Sequence, residues 1–219
     1  MTVNGISTIG FVGAGAVAGQ LARLCLARGY EVVLSNSRGP ETLTELIEVL
    51  GEGAAAATAP QAAAAGDLVV VAVPLGAIDA LPVSELAGRI VLDTCNYHPQ
   101  RDGQIVDLDN ELITTSEMVQ EILPRSLVVK AFNAIYADDI TNDATPAGTP
   151  DRRALAIAGN DAGAKEVVAA FVDDLGYDVV DLGDLAESWR IQRDTPGYCT
   201  MNNAAELVEA VEDAVRPTA

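Results

Sequence analysis

The stretch STIGFVGAGAVAG, residues 7–19, joins an apolar segment to a run of small residues through a glycine turn. Gly13 and Gly15 let the chain turn tightly after a strand, and they let backbone N–H groups approach a diphosphate without an intervening Cβ. The helix predicted over residues 16–28 points its N-terminal dipole at that group, and Ala18 fills the third position of the pattern, where helix and strand pack closely. Because an apolar strand precedes the turn and another strand follows the helix, the pattern predicts a dinucleotide-binding βαβ unit.

The second strand lies in EVVLSNSRG, residues 31–39, and is followed by Asn36, Ser37 and Arg38. A site that prefers NAD usually carries Asp or Glu near this point, where it binds the ribose hydroxyls. A carboxylate would repel a 2′-phosphate, whereas a hydroxyl and a guanidinium donate hydrogen bonds to it. The segment therefore predicts NADP(H) as the cofactor. The simpler alternative is an ordinary helix start at Ser37 with a solvated Arg38.

The composition excludes several classes of function. The chain has 219 residues, with 13 lysines and arginines against 32 acidic residues, and a net charge of −19. We expect no nucleic-acid partner and no membrane partner, because both surfaces are anionic. The sequence shows neither a basic-then-apolar leader nor an apolar run of membrane-spanning length, so we expect a cytoplasmic protein. Its three cysteines are far apart and it has one histidine, which predicts reduced thiols and no metal site.

Strand and helix patterns alternate along the chain, which is typical of α/β proteins. They predict a Rossmann-type, doubly wound, mostly parallel sheet with a small C-terminal α/β extension. Further strands are expected over residues 54–57, 67–74, 89–96, 126–133, 153–159 and 178–183, and further helices over 41–50, 60–65, 162–175 and 202–215. A polar, proline-bearing loop over residues 137–150 marks a soft boundary. It divides an NADP-binding domain, residues 1–140, from a smaller portion, residues 141–219, which we expect to continue the same sheet.

Ligands of open α/β sheets bind beyond the carboxyl ends of the strands. This rule predicts a cofactor site built from Gly13, Ala14, Gly15, Ala16, Val17, Asn36, Ser37, Arg38, Val73, Pro74, Leu75 and Asn96. Polar residues at equivalent strand ends are candidates for binding a second substrate, namely Tyr97, Lys130 and Asn133. Lys130 lies in an apolar strand, where it either contacts substrate or phosphate or pairs with an acid such as Asp93. His98 is a weak candidate for a general acid, and a surface loop position is its simpler interpretation.

Seven segments carry a resemblance to a known family: GFVGAGAVAG, LSNSRGPET, VVVAVP, LDTCNYHPQRDGQI, TTSEMVQEILP, VVKAFN and WRIQRDTPGY. In this order they resemble the coenzyme F420-dependent NADP oxidoreductase family, in particular its bacterial branch of NADPH-dependent F420 reductases. The resemblance implies a homodimer that transfers a hydride reversibly between NADP(H) and the deazaflavin F420. It also implies a diphosphate loop at Gly13, Gly15 and Ala18, a 2′-phosphate site at residues 36–38, and a nicotinamide beside Pro74.

Hydride transfer between two rings requires stacking and the exclusion of water, and it needs no protein acid in the hydride step. We therefore expect no catalytic side chain. Two alternatives stay open, because cofactor motifs are shared more widely than substrates. One is an NADPH-dependent reductase of another small acceptor, a carbonyl, an imine or a flavin-like or quinone-like molecule, and the other is a non-catalytic NADP-binding sensor. F420 carries an anionic tail, which would favour cations at the cleft, and the candidates are Arg101, Lys130, Arg190 and Arg193.

Overall fold

The computed structural model describes residues 3–216, and its centre is one eight-stranded sheet with the order β3-β2-β1-β4-β5-β6-β7-β8. The strands are β1 Thr8–Val12, β2 Glu31–Ser35, β3 Ala54–Ala56, β4 Leu68–Val71, β5 Ile90–Asp93, β6 Leu127–Lys130, β7 Ala154–Gly159 and β8 Asp178–Asp181. All neighbouring pairs are parallel except β6 and β7, which are antiparallel. The predicted Rossmann-type, mostly parallel fold is confirmed.

Helices connect the strands and cover the sheet. The α-helices are α1 Ala16–Ala27, α2 Thr44–Leu50, α3 Ala59–Ala65, α4 Val83–Leu86, α5 Pro99–Asp102, α6 Val106–Asp109, α7 Thr115–Ile122, α8 Asp139–Asn142, α9 Ala162–Leu175 and α10 Ala204–Glu212. Short 3₁₀ helices cover Val3–Gly5, Pro40–Leu43, Leu75–Ala80 and Leu185–Ile191. Within residues 3–216, no helix is both long and apolar enough to cross a membrane.

Strand β4 shows why both faces of the sheet are covered. All four of its residues are buried, and alternate side chains enter different hydrophobic clusters. Leu68 and Val70 pack in the cluster that contains α1 and α9, whereas Val69 and Val71 pack in the cluster that contains α7. A strand buried on both faces is a continuous apolar run, as this one is.

The order in which successive strands are added to the sheet reverses between β1 and β4, which are themselves parallel. Strands β1, β2 and β3 extend one way from this point, and β4, β5 and β6 extend the other way. A crevice opens beyond the carboxyl ends of the strands at such a switch point, and ligands bind there. The fold therefore places the end of β1 at the centre of any cofactor site.

Helices α7 and α10 differ from the sequence prediction. Helix α7 was not predicted, although Thr114 and Glu117 form a capping box that is visible in the sequence TTSE. The last helix was predicted over residues 202–215 but spans Ala204–Glu212, because Asn203 is its N-cap and accepts from the backbone N–H of Glu206.

The proposed domain boundary at residues 140 and 141 falls inside α8, and the sheet continues across it through the β6–β7 pair. The domain division stays a prediction, and its outermost residues, 1–2 and 217–219, lie outside the described part of the chain.

Candidate cofactor and substrate site

The turn after β1 requires glycine at position 13. Gly13 has φ +111°, and a Cβ at this position would lie 2.2 Å from the carbonyl oxygen of Ala72. Its N–H donates to the carbonyl oxygen of Ser35 at 3.1 Å, which joins the turn to the end of β2. Left-handed backbone and close approach to a neighbouring strand both exclude a side chain here. The fold thereby brings the ends of β1, β2 and β4 together.

Gly15 is open towards solvent and begins helix α1. It is the N-cap residue with φ −79°, and no atom lies within 4 Å of a Cβ built on it. The first N–H groups of a helix have no partner within the helix, and they bind anions together with the helix dipole. The first turn of α1 carries no acidic side chain that would compete. This helix start fits a diphosphate.

A first cavity of about 530 Å³ lies beyond the ends of β1, β2 and β4. Its lining residues are Val12, Gly13, Ala14, Gly15, Ser35, Asn36, Ser37, Arg38, Ala59, Ala72, Val73, Pro74, Ala77, Ala80 and Leu81. Most of these are apolar or backbone groups, and the one cation among them is Arg38. The cavity reaches from the start of α1 to the loop after β2, where the sequence predicts a 2′-phosphate.

The loop after β2 is held by the side chain of Asn36. Its Oδ1 accepts from the backbone N–H of Arg38 at 3.0 Å, and its Nδ2 donates to the hydroxyl of Thr42 at 2.8 Å. Ser37 and Arg38 are exposed. Within residues 3–216, the guanidinium of Arg38 forms no ion pair with a carboxylate. Asn36 therefore shapes the turn, and Arg38 is the group that is free to meet an anion.

A second cavity of about 370 Å³ adjoins the first and extends towards β5 and β6. The two cavities share Gly15, Ala72, Val73 and Pro74. The second is also lined by Ala16, Val17, Ala18, Thr94, Cys95, Asn96, His98, Arg101, Phe132, Asn133, Ile135, Tyr136, Ala137, Tyr198 and Cys199. A dinucleotide whose diphosphate lies at α1 would extend from the first cavity into the second. The second cavity leaves space for another molecule beside it.

Asn96 and Asn133 form a pair of amides in the wall of the second cavity. Asn96 Nδ2 donates to the backbone carbonyl of Asn133 at 2.8 Å, and Asn133 Nδ2 donates to Asn96 Oδ1 at 3.2 Å. The two residues follow β5 and β6 respectively, which are neighbouring parallel strands. Parallel pairing thus joins residues that are 37 positions apart in the sequence.

Residues 8–97, from β1 to the residue after Asn96, match the sequence model of the family described as NADP oxidoreductase, coenzyme F420-dependent. This part of the chain carries the sequence pattern of that family. It is a family of NADP-dependent oxidoreductases, and the matched part contains the glycine turn, the loop after β2, and the ends of β4 and β5.

Solved structures extend the likeness over most of the chain. The hypothetical protein SMa0349 of Sinorhizobium meliloti is 32% identical, with a TM-score of 0.77 over 89% of this chain and 94% of that one. A candidate F420-dependent NADP reductase from Arthrobacter sp. FB24 is 26% identical, with a TM-score of 0.72 over 84% of this chain and 87% of that one. Both likenesses cover a larger share of the chain than the family model does.

Among curated proteins, the metalloreductase STEAP3 of Rattus norvegicus is 28% identical over 187 residues, which are 84% of this chain and 35% of that protein. The chain spans about half or less of the length of the curated relatives it matches. STEAP3 is therefore a longer protein than this chain, and this chain matches only part of it.

His98 lines the second cavity and has two arginines near it. Arg193 Nη1 lies 3.3 Å from His98 Nδ1, and Arg101 also lines the cavity. An arginine can only donate, so Nδ1 is the acceptor and the ring proton is on Nε2. Desolvation and the positive charges of Arg101 and Arg193 lower the pKa of His98. His98 is therefore neutral at pH 7 and is not a charged general acid.

The structure decides between the two alternatives for Lys130. Its side chain is completely buried, and Nζ donates to Asp93 Oδ2 at 2.9 Å, to the carbonyl of Cys95 at 2.6 Å and to the hydroxyl of Thr115 at 3.0 Å. All three ammonium protons are used inside the protein. The pairing with Asp93 is present, and the assignment of Lys130 to substrate binding is wrong.

Two other predicted residues do not face the adjoining cavities. Leu75 is 1% exposed and packs in the core, so its assignment to cofactor contact is corrected. The hydroxyl of Tyr97 accepts from the N–H of Ile105 at 2.9 Å and donates to Asp109 at 2.7 Å. Its ring lines a separate cavity of about 200 Å³, so Tyr97 is not placed to bind a second substrate in the larger one. Both residues were predicted only because they follow the end of a strand, and that position does not determine where a side chain points.

The sequence analysis missed several residues of the second cavity. Tyr136, Tyr198 and Cys199 come from segments far along the chain from the glycine turn, and no local pattern connects them to it. Phe132 also lines this cavity and has φ +57°, an uncommon conformation for an aromatic residue. Of the predicted cations, Arg101 lines this cavity and Arg193 lies beside His98, whereas Arg190 pairs with Glu187 and stacks on Trp189 at 4.5 Å.

Proposed function

We propose that this protein transfers a hydride between NADP(H) and the deazaflavin coenzyme F420. The observation that carries the proposal is the adjoining pair of cavities that share Gly15 and Pro74 at the switch point of the sheet. The first has the shape and the helix start that a dinucleotide requires. The second offers space beside the nicotinamide end for another ring. The match of residues 8–97 to the model of the F420-dependent NADP oxidoreductase family supports F420 as that ring.

In this proposal, the residues of the first cavity hold NADP(H) at three points. The free N–H groups at the start of α1 donate to the diphosphate, and Gly15 allows its close approach. Ser37 and Arg38 donate to the 2′-phosphate, while Asn36 fixes the loop that carries them. A polyanionic ligand that approaches a protein of net charge −19 requires such a local cation.

Bound NADPH supplies the hydride, and the protein supplies walls that hold two rings together. Val73, Pro74, Phe132 and Ile135 give the second cavity apolar walls. Hydride transfer requires the protein to hold the two rings close together and to keep water away from them. The lowered pKa of His98 fits a reaction that needs no charged acid in its hydride step.

The anionic tail of F420 would meet Arg101 and Arg193. The side chain of Arg101 is 45% exposed and lines the second cavity, although it also pairs with Asp102. Arg193 lies next to His98, which lines the same cavity. Lys130 and Arg190 do not contribute, so the positive charge at the cavity is smaller than the sequence alone suggested. Two of the four candidate cations, Arg101 and Arg193, therefore support F420 as the second substrate.

A second candidate function is reduction of another small acceptor by NADPH. The similarity to a metalloreductase over 84% of this chain favours it, because that relative is named for a different acceptor. A non-catalytic sensor is less well supported, since the second cavity is open rather than filled by side chains. The homodimer, the cytoplasmic location and the two-part domain division are further proposals, which rest on the family resemblance and the sequence pattern.

The decisive experiment mixes the purified protein with F420 and NADPH and follows the absorbance of F420. Parallel reactions contain NADH in place of NADPH, or menadione, an aldehyde or a ferric chelate in place of F420. We expect F420 turnover with NADPH that greatly exceeds turnover with NADH. Absence of F420 turnover across a broad range of pH and salt would reject F420, and oxidation of NADPH by another acceptor would then support the second candidate.

A further inference from the structure

The amide of Asn133 is fixed in one orientation. Its Nδ2 donates to Asn96 Oδ1 at 3.2 Å and to the backbone carbonyl of Ile191 at 2.8 Å. A flipped amide would place Oδ1 against these two acceptors, which is unfavourable. Both donor positions of Asn133 are therefore used inside the protein, and its Oδ1 can only accept.

That oxygen has no hydrogen-bond partner among residues 3–216. Asn133 is 2% exposed, and its Oδ1 is buried, yet no donor of the described chain reaches it. Buried polar atoms are nearly always hydrogen-bonded, and a buried acceptor without a donor lowers stability. Asn133 also lines the second cavity. A ligand in that cavity can supply the missing donor.

The backbone before Asn133 is consistent with a constrained position. Phe132 adopts a left-handed conformation at φ +57°, and its ring is held edge-on against Tyr177 at 5.8 Å. Such a conformation is unfavourable for a bulky residue and persists where the surrounding structure enforces it. Strain of this kind clusters at ligand sites. Asn133 follows Phe132 directly, and its amide contacts Asn96 and lies among the residues that line the cavity.

We propose that Asn133 Oδ1 accepts a hydrogen bond from the carboxamide –NH₂ of the nicotinamide. The inference rests on the proposed NADP site, whose dinucleotide runs from α1 past Val73 and Pro74 into the second cavity. A primary carboxamide is a strong N–H donor at that end of the cofactor, and Asn133 presents an acceptor without a donor. The contact would set the rotation of the nicotinamide ring about its glycosidic bond.

The test compares three oxidised cofactors by calorimetric titration of the unmodified protein. NADP⁺ and its thionicotinamide analogue both carry the –NH₂ group, whereas the 3-acetylpyridine analogue has a methyl group in its place. We expect the acetylpyridine analogue to bind about tenfold more weakly than the other two, because it leaves Oδ1 unsatisfied. Equal binding of NADP⁺ and the acetylpyridine analogue would overturn the proposal, whatever the variants below do.

Variants locate the effect at Asn133. In Asn133→Ala, the preference for NADP⁺ over the acetylpyridine analogue should disappear. Asn96→Ala is the matched control, because it removes the other amide of the pair and leaves Asn133 bonded to Ile191 through Nδ2. This control should retain most of the preference. If Asn133→Ala weakens all three ligands by one factor and keeps the preference, Oδ1 binds another donor, such as an N–H of the acceptor ring, and the proposal is wrong.

The titrations contain no F420 and no acceptor. Failure of the F420 proposal would therefore appear as absent F420 turnover by a protein that still distinguishes the three cofactors. Failure of the present inference would appear as equal binding of NADP⁺ and the acetylpyridine analogue by a protein that still reduces F420. Melting temperatures of both variants, measured without ligand, separate lost binding from lost folding.

Discussion

The ammonium group of Lys130 lies 2.9 Å from the carboxylate of Asp93, and both side chains are fully buried. Ser116 donates to the same oxygen of Asp93, Oδ2, at 2.6 Å. The other oxygen, Oδ1, accepts from the backbone N–H of Cys95 at 2.8 Å. The ammonium also binds the carbonyl of Cys95 at 2.6 Å. This buried ion pair thus fixes the backbone at the point where β5 ends and Asn96 enters the cavity wall.

Breaking this pair should destabilise the protein strongly. Lys130→Met leaves the charge of Asp93 buried and unpaired, and we expect a loss of about 3–5 kcal/mol in the free energy of unfolding, measured with urea. Lys165→Met is the matched control, because it removes an ion pair with Asp181 at 3.0 Å that is partly exposed, and it should cost less than about 1 kcal/mol. Adding Asp93→Asn to Lys130→Met should recover part of the loss. Similar losses in the two single variants would contradict this interpretation.

Arg38 should determine the preference for NADPH over NADH. In Arg38→Glu, a guanidinium that could bind the 2′-phosphate becomes a carboxylate that repels it. We expect the KM for NADPH to rise at least about tenfold, while the KM for NADH changes little. Arg28→Glu makes the same change of charge at the far end of α1, next to Ala27, and should affect both cofactors weakly and alike. An equal effect of Arg38→Glu on both cofactors would place the phosphate elsewhere.

The two glycines of the turn should respond differently to alanine. Gly13→Ala introduces a Cβ 2.2 Å from a carbonyl oxygen at φ +111°, so we expect a loss of more than about 2 kcal/mol in the free energy of unfolding. Gly15→Ala meets no atom within 4 Å and should lose less than about 1 kcal/mol. Its methyl group would occupy open space at the helix start, where it should weaken NADPH binding. Denaturant titrations with a cofactor titration check both outcomes, and unchanged NADPH affinity in Gly15→Ala would argue against a diphosphate there.

The stability of the protein should depend on His98 in weakly acidic solution. Burial and two arginines lower the pKa of His98 in the folded protein, so the unfolded chain takes up a proton first, near its usual pKa of about 6.5. Above that pH both states contain neutral His98, and below it protonation favours the unfolded state. Stability should therefore fall as the pH drops from 7 towards 5, and His98→Gln should show a shallower fall. Parallel pH profiles of the two proteins, from urea titrations, would exclude this role.

The sequence indicated the secondary structure of the sheet and the start of α1 well, because their signals are local. Strand β4 is a run of four apolar residues, and Gly13 is required by one backbone angle and one close contact. Helix α7 shows where prediction from hydrophobic periodicity failed. Its capping box of Thr114 and Glu117 is also local, but its hydrophobic face is short and was not recognised as a helix.

The candidate site was predicted less completely. The sequence placed Asn133 and Lys130 at the end of the same strand as two equivalent polar residues. The structure separates them, since one side chain points into the cavity wall and the other forms a buried ion pair. Side-chain direction alternates along a strand, and the end of β6 is further altered by the positive φ of Phe132. Neither the angle nor the partner of each residue is visible in the sequence.

The sequence by itself determined the glycine turn, the mostly parallel sheet and the loop that carries Arg38, because glycine conformation and apolar periodicity act over a few residues. Only the tertiary structure decided that Lys130 pairs with Asp93, that Tyr198 lines the second cavity, and that Asn133 presents an acceptor without a donor. These depend on contacts such as the one between Asn96 and Asn133, which are 37 positions apart. Strand order and the antiparallel pairing of β7 bring such residues together, and packing, not local pattern, selects both.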